Sequence, residues 1–220
     1  MTTRVQALAQ RSEQLLPGAP AYDSRFRRLV GREGWQGLCP AIRLRFAKRL
    51  QGTAVALYAG EIVETRLSLA GWLLSQACRL IGAPLPLHRD SGVPAVVVVS
   101  EDRASGGQRW TRIYHRSRHA PQVINSAKTF AGMTGLEELI GGGIGMALTV
   151  QAAGDRLVFC SDHYFLKLGS HHLRIPAMFS PGKTVVTHRD LGGGEFAFDL
   201  DVVHPWLGEL IHQHAIFRDQ

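Results

Sequence analysis

From residue 93 onwards, the chain consists of short segments rich in β-branched and aromatic residues, joined by connections too short to hold a helix. Two of these connections are Ala153-Gly154-Asp155 and Gly192-Gly193-Gly194, whose composition is typical of hairpin turns. Strands joined in this way pair antiparallel, because a parallel pair needs a crossover of a dozen or more residues. An antiparallel sheet of this many strands must curl or close on itself.

Side-chain alternation supports the individual strands. In the segment from Glu195 to Val203, Phe196 and Phe198 alternate with Glu195 and Asp199, which indicates a strand with one face in the core and one in water. The predicted strands of this region span residues 93–100, 108–116, 123–130, 136–140, 144–152, 156–168, 183–190, 195–203 and 207–217.

Three further elements precede these strands. Apolar residues spaced four apart from Leu38 to Leu50 predict an amphipathic helix whose other positions are basic. The segment Thr53–Arg66 predicts one long strand with a bulge or tight hairpin at Gly60-Glu61. The segment Leu67–Ile81 is too short and too often interrupted by polar residues to span a bilayer, so it predicts a buried helix.

Together these elements predict an α+β fold. We expect a strongly curved antiparallel sheet or open β-barrel of about eight strands, with N-terminal helices and one helix packed on the sheet. Residues 1–24 are polar and contain the turn cluster Pro17-Gly18-Ala19-Pro20, which predicts an N-terminal tail. Residues 25–220 then form a single domain.

The positive charge of the chain is concentrated at its N-terminal end. Residues 1–50 contain ten Lys/Arg and three acids, which accounts for the whole formal net charge of +7. The basic helix predicted from Leu38 to Leu50 suggests weak contact with an anionic membrane surface, unless its apolar stripe is buried against the sheet. The region has no nucleic-acid recognition motif, so no specific nucleic-acid partner is expected.

Cysteine usage and the first residues of the chain both indicate a cytoplasmic protein. Cys39, Cys78 and Cys160 are an odd number at wide spacing, which is typical of reduced thiols. The opening Met-Thr-Thr-Arg is not followed by an apolar stretch of the kind found in secretory signals. The composition, 45% hydrophobic and 20% charged, is that of a globular protein and excludes a disordered chain.

Several short motifs between residues 110 and 209 carry a family resemblance. They are, in order, Trp110-Thr-Arg112 followed by Ser126, Leu136-Glu-Glu138 leading to Gly141, Leu168-Gly169 with Pro176 and Ser180-Pro181, and His204-Pro205-Trp-Leu-Gly208-Glu. From about Leu38 to Phe217, the chain resembles the bacterial family described as domain of unknown function 4166. The resemblance implies a domain found alone or fused behind oxidoreductases similar to saccharopine dehydrogenase. It thus suggests an oxidoreductase partner, but it implies no particular activity.

A cavity inside the curved sheet is the first functional hypothesis. Several strands are apolar on both faces, and curved sheets with a helix across them often enclose pockets. We therefore expect the protein to bind an apolar or amphipathic small molecule, either lipid-like or polyketide-like, with no cofactor. The predicted ligand-binding residues are Trp110, Arg112, Tyr114 and Phe165. A buried Arg112 needs a carboxylate partner, and Glu138 across the sheet is the candidate.

An enzyme that uses the same cavity is the alternative. His163, His212 and Glu138 could act as general acid–base residues of a cyclase or isomerase if their side chains converge. His212 and His214 face the same side of a strand, but a metal site needs a third ligand, so none is predicted. A third hypothesis, an interaction module for a partner oxidoreductase, follows from the resemblance alone.

Overall fold

The computed structural model describes residues 21–116 and 120–219. Residues 1–20 of the predicted tail lie outside these ranges. The last residues of that predicted tail pack on the domain: strand β1 (Ala21–Tyr22) pairs with β2 (Lys48–Arg49), and the buried carboxylate of Asp23 contacts Arg25.

Within the described ranges, three α-helices accompany the sheet. They are α1 (Arg25–Gly37, kinked at Gly31), α2 (Pro40–Phe46) and α3 (Leu69–Ala77), and 3₁₀ turns follow at Cys78–Ile81 and Ala177–Phe179. Pro40 occupies the first turn of α2, where its missing N–H breaks no helical hydrogen bond. No helix among the described residues has both the length and the apolar character needed to cross a membrane.

Ten long strands form a closed antiparallel barrel. They are β3 (Val55–Leu67), β4 (Val93–Asp102), β5 (Gly107–Tyr114), β6 (Gln122–Thr129), β7 (Glu137–Gly141), β8 (Ile144–Ala153), β9 (Arg156–Leu168), β11 (Lys183–Gly192), β12 (Glu195–His204) and β13 (Gly208–Asp219). Neighbours in sequence are neighbours in the barrel, and the first strand, β3, pairs with the last, β13. A further short strand, β10 (His171–Arg174), comes between β9 and β11 in the sequence and pairs with the C-terminal end of β9. It is not one of the ten strands of the barrel.

The sequence predicted about eight strands, whereas the barrel has ten. It also predicted an open barrel or a curved sheet, whereas the barrel is closed. Of the two alternatives predicted for the segment around Gly60, the structure has the single long strand: β3 has 13 residues and pairs with β4 on one edge and β13 on the other. The register shift against β13 lies at Val63 and not at Gly60-Glu61. A Cβ atom at Gly60 would lie 2.0 Å from the carbonyl oxygen of Ile216, so the glycine permits close approach of the two strands that close the barrel.

Helices α1 and α2 cover one end of the barrel, which we call the closed end. Leu38, Ile42 and Phe46 are all buried in the core there. The apolar stripe of the predicted basic helix therefore packs against the barrel and is not free to contact lipid. Arg45 is also buried, and its guanidinium forms ion pairs with Asp190 and Asp219 at 2.8 Å each. The helix therefore presents neither its apolar stripe nor Arg45 to a membrane surface.

Helix α3 and the loop after it lie at the opposite end. The helix was predicted to be buried, but it contacts β13 mainly through its small residues Gly71 and Ser75. Its large side chains Leu69, Trp72 and Leu73 are 43–72% exposed. A buried ion pair between Asp90 and Arg116, at 2.6 Å, fixes the end of the following loop.

Candidate functional site

The barrel encloses a cavity of about 260 Å³. Its walls are mostly apolar and come from strands on all sides of the ring, among them Val97, Trp110, Met146, Phe159, Leu200 and Phe217. An apolar cavity of only about 150 Å³ in another protein stays dry and binds benzene. The interior of this barrel is therefore large enough to hold a small organic molecule.

The cavity reaches the surface at the α3 end. Leu74, Cys78 and Ile81 line it on one side, and Phe179 lines it from the 3₁₀ turn before β11. Phe179 is 74% exposed although it also borders the cavity, which marks a mouth at this position. Burial raises the pKa of the Cys78 thiol, so this cysteine is not a thiolate at neutral pH.

A cluster of three charged side chains lies on the wall formed by β5, β6 and β7. Lys128 Nζ lies 2.7 Å from one carboxylate oxygen of Glu138, and Arg112 Nη2 lies 3.8 Å from the other. Arg112 also donates a hydrogen bond of 3.3 Å to the Ser126 hydroxyl. The cluster forms because these residues share the inward face of neighbouring strands, with Lys128 directly opposite Glu138 in the β6–β7 pair.

The electrostatics of the cluster keep Glu138 ionised. Burial alone would raise the pKa of Glu138, but Lys128 and Arg112 together hold it below its usual value. Burial also lowers the pKa of Lys128, although Glu138 opposes this effect. Among the described residues that line the cavity, Glu138 is the only carboxylate, so the cluster has two cationic groups and one anion.

Trp110 connects the cluster to the apolar wall. Its ring lies 5.0 Å from Lys128 Nζ and 5.9 Å from the Arg112 guanidinium carbon, within cation–π range. Its indole N–H donates to the Gln108 side chain at 3.2 Å, so the buried ring has no unmet donor.

A second polar group sits near the closed end. Arg45 Nη1 lies 3.5 Å from His188 Nε2, and Phe46 and Phe196 pack around the imidazole. Burial, reinforced by the Arg45 charge, lowers the pKa of His188 to about 3. His188 is therefore neutral at physiological pH and can accept a hydrogen bond from Arg45.

Four of the seven predicted site residues line this cavity: Trp110, Arg112, Tyr114 and Glu138. The predicted pair of Arg112 and Glu138 is present, but Lys128 is the closer partner of the carboxylate. Sequence reasoning missed Lys128, although alternation from Ile124 through Ser126 places it on the same strand face.

The other three predicted residues lie outside the cavity. The β8–β9 pairing shifts register so that Asp162 has no partner, and this bulge reverses the alternation of β9. Phe159 and Tyr164 both point inward as a result, while Phe165 faces outward and stacks on His172 at 4.4 Å. Phe165 therefore does not line the cavity, because the prediction assumed uninterrupted alternation along β9.

The two predicted histidines are on the outer surface, each beside a carboxylate. His163 is 2.6 Å from Asp162, and His212 is 2.7 Å from Asp201 across the β12–β13 pair. Neither lines the cavity, so the three proposed acid–base groups do not converge. The side chains of Asp201, Glu209 and His212 are close enough together to bind one metal ion, but Glu209 already forms an ion pair with Arg66.

The arrangement inside the barrel is suited to binding. The cavity combines extensive apolar walls with a small charged cluster whose carboxylate is already paired. Among curated proteins and among solved structures, nothing matches the chain. The model of the family described as domain of unknown function (DUF4166) matches residues 38–217, which include every strand of the barrel except the end of β13. The chain therefore belongs to the DUF4166 family.

Proposed function

We propose that the protein binds an apolar or amphipathic small molecule, lipid-like or polyketide-like, inside the barrel. The observation that carries the proposal is the cavity of about 260 Å³, which is mostly apolar and has a mouth beside Phe179. Binding sites for small organic molecules commonly have this form, with apolar walls and a few polar groups that orient the ligand.

The energetic cost of an empty interior supports the same function. In a well-studied series of core variants, each Å³ of apolar void destabilises a protein by roughly 24 cal/mol. The cavity here has a mouth and a charged cluster on one wall, so a cost of this kind applies to its enclosed apolar part. A ligand that fills the space restores much of this packing, and its binding raises the stability of the folded state.

The geometry favours binding over the cyclase or isomerase alternative. That alternative was based on acid–base groups that converge on the same substrate. Of the three residues considered for that role, only Glu138 lines the cavity, and its carboxylate is ionised beside Lys128 and Arg112.

Two valine variants on one strand test the proposal. Val97 lines the cavity, whereas its neighbour Val98 points away from it. We expect Val97→Phe to occupy part of the cavity and weaken binding of a fluorescent fatty-acid analogue at least tenfold. Val98→Phe, which adds the same atoms to the outer face, should bind the analogue like the wild type.

Native mass spectrometry of the purified protein provides an independent readout. We expect a bound lipid-like molecule on the wild type and on Val98→Phe, and less of it on Val97→Phe. Equal binding of the fluorescent analogue by all three proteins would place its site outside the barrel and contradict the proposal. Absence of any binding across a panel of lipids would also contradict the proposal.

A further inference from the structure

The charge of the cavity wall identifies the chemical class of the ligand. We infer that it is an amphipathic monocarboxylate, whose acidic group binds the Arg112 guanidinium while its apolar part fills the barrel. This inference rests on the proposed function and adds to it the head group and the residues that recognise it.

Arg112 has unused hydrogen-bonding capacity. A guanidinium has five N–H donors. Within the described residues, Arg112 donates one hydrogen bond, to Ser126 at 3.3 Å, and its nearest carboxylate oxygen is 3.8 Å away. Its side chain is 17% exposed and borders the cavity, so the remaining donors can reach a bound molecule.

The charge balance gives the sign of the missing partner. Lys128 holds Glu138 closely, at 2.7 Å, and Arg112 shares the same carboxylate at the longer distance of 3.8 Å, so one anion faces two cations. At the closed end, Arg45 already has two counter-ions, Asp190 and Asp219, and Lys48 there is partly exposed to solvent. A single negative charge beside Arg112 would balance the three-residue cluster.

The opposite wall fits the apolar part of such a molecule. Strand β12 lies across the ring from β6 and contributes Phe198, Leu200 and Val202 to the cavity lining. None of these side chains can hydrogen-bond. A ligand in this space therefore meets a cationic group on one side and hydrocarbon on the other, which is the pattern of an amphipathic anion.

A carboxylate fits better than a phosphate ester because one charge is unbalanced. A planar carboxylate matches the guanidinium fork, and it has one negative charge at neutral pH. A phosphate monoester has between one and a half and two negative charges at that pH, so it would overcompensate the cluster.

Displacement of a neutral fluorescent probe by twelve-carbon competitors tests the inference. The competitors are dodecanoate, dodecanol and dodecyl phosphate, which share the same apolar chain. We expect the wild type to bind dodecanoate at least tenfold more tightly than dodecanol, and more tightly than dodecyl phosphate. Equal affinity for dodecanoate and dodecanol, or a preference for the phosphate, would overturn the inference while leaving the proposed function intact.

Variants of Arg112 assign the effect to one side chain. Arg112→Met should lower the affinity for dodecanoate at least tenfold and leave that for dodecanol within about twofold, whereas Arg112→Lys should keep part of the preference. Arg109→Met removes an arginine from the outer face of the same strand and should change neither affinity. If Arg112→Met binds dodecanoate as tightly as the wild type, another group recognises the acid. If no competitor displaces the probe from the wild type, the proposed function itself fails.

Discussion

Removing the carboxylate of Glu138 is expected to destabilise the protein more than a typical Glu→Gln change. In the variant Glu138→Gln, the ammonium group of Lys128 stays in an apolar wall without its partner at 2.7 Å. Both side chains are only 6% exposed, so water cannot replace the lost interaction. Breaking a buried ion pair by removing one partner costs about 3–5 kcal/mol.

The loss has an upper limit, because Lys128 can release its proton. Deprotonating a lysine with an ordinary pKa of about 10.4 costs about 5 kcal/mol at pH 7. This upper limit falls by about 1.4 kcal/mol for each unit by which the pH rises. The destabilisation caused by Glu138→Gln should therefore shrink from pH 7 to pH 9. Burial acts in the same sense, because it lowers the pKa of Lys128 and so favours the uncharged amine.

Urea unfolding of four proteins measures the effect. We expect Glu138→Gln to lose about 3–5 kcal/mol, and Lys128→Met combined with Glu138→Gln to recover all but about 1–2 kcal/mol. The control, Glu195→Gln, breaks a pair with Arg218 in which the side chains are 37% and 70% exposed, and it should cost below about 1 kcal/mol. A loss below about 1 kcal/mol at Glu138, or a double variant no more stable than the single one, would refute this account of the cluster.

Two further predictions concern the stability of the barrel. Because the pKa of His188 is about 3 in the folded protein and about 6.5 when unfolded, the unfolded chain takes up the proton first on acidification, and stability falls as the pH drops below 6.5. Between pH 7 and pH 5 the free energy of unfolding of the wild type should fall about 2 kcal/mol more than that of His188→Gln, and parallel pH profiles would show that His188 does not titrate in this way. A Cβ atom at Gly71 would lie 1.8 Å from the Leu210 carbonyl oxygen, so Gly71→Ala should lower the free energy of unfolding by about 1–3 kcal/mol. Gly37→Ala, where the added Cβ meets nothing within 4 Å, should have no destabilising effect, and thermal melts that rank the two alanine variants equally would contradict the close packing of α3 on β13.

Strand positions were predictable from the sequence, because alternation and turn composition are local signals. The segment predicted from Glu195 to Val203 is found as β12, one residue longer. Closure of the barrel was not predictable in the same way, because it depends on pairing between β3 and β13, which are distant in sequence. The glycine that permits this pairing, Gly60, was interpreted from the local sequence as the site of a bulge or a tight hairpin.

The candidate site was predicted where alternation is regular and missed where it is not. Trp110, Arg112 and Tyr114 lie on an uninterrupted strand, and all three border the cavity. Phe165 follows the bulge at Asp162, whose position depends on the pairing of β9 with β8 and leaves no mark in the local pattern. Helix α3 is a similar case, because hydrophobicity alone did not indicate that Leu69, Trp72 and Leu73 face outward.

A crystal structure of the protein with dodecanoic acid tests the central claim most directly. The account predicts density for the acid inside the barrel, with a carboxylate oxygen within hydrogen-bond distance of Arg112 and the alkyl chain along the apolar wall that includes Leu200. Density for the acid only on the outer surface, or an interior without it at saturating concentration, would contradict the claim that the barrel is a binding site.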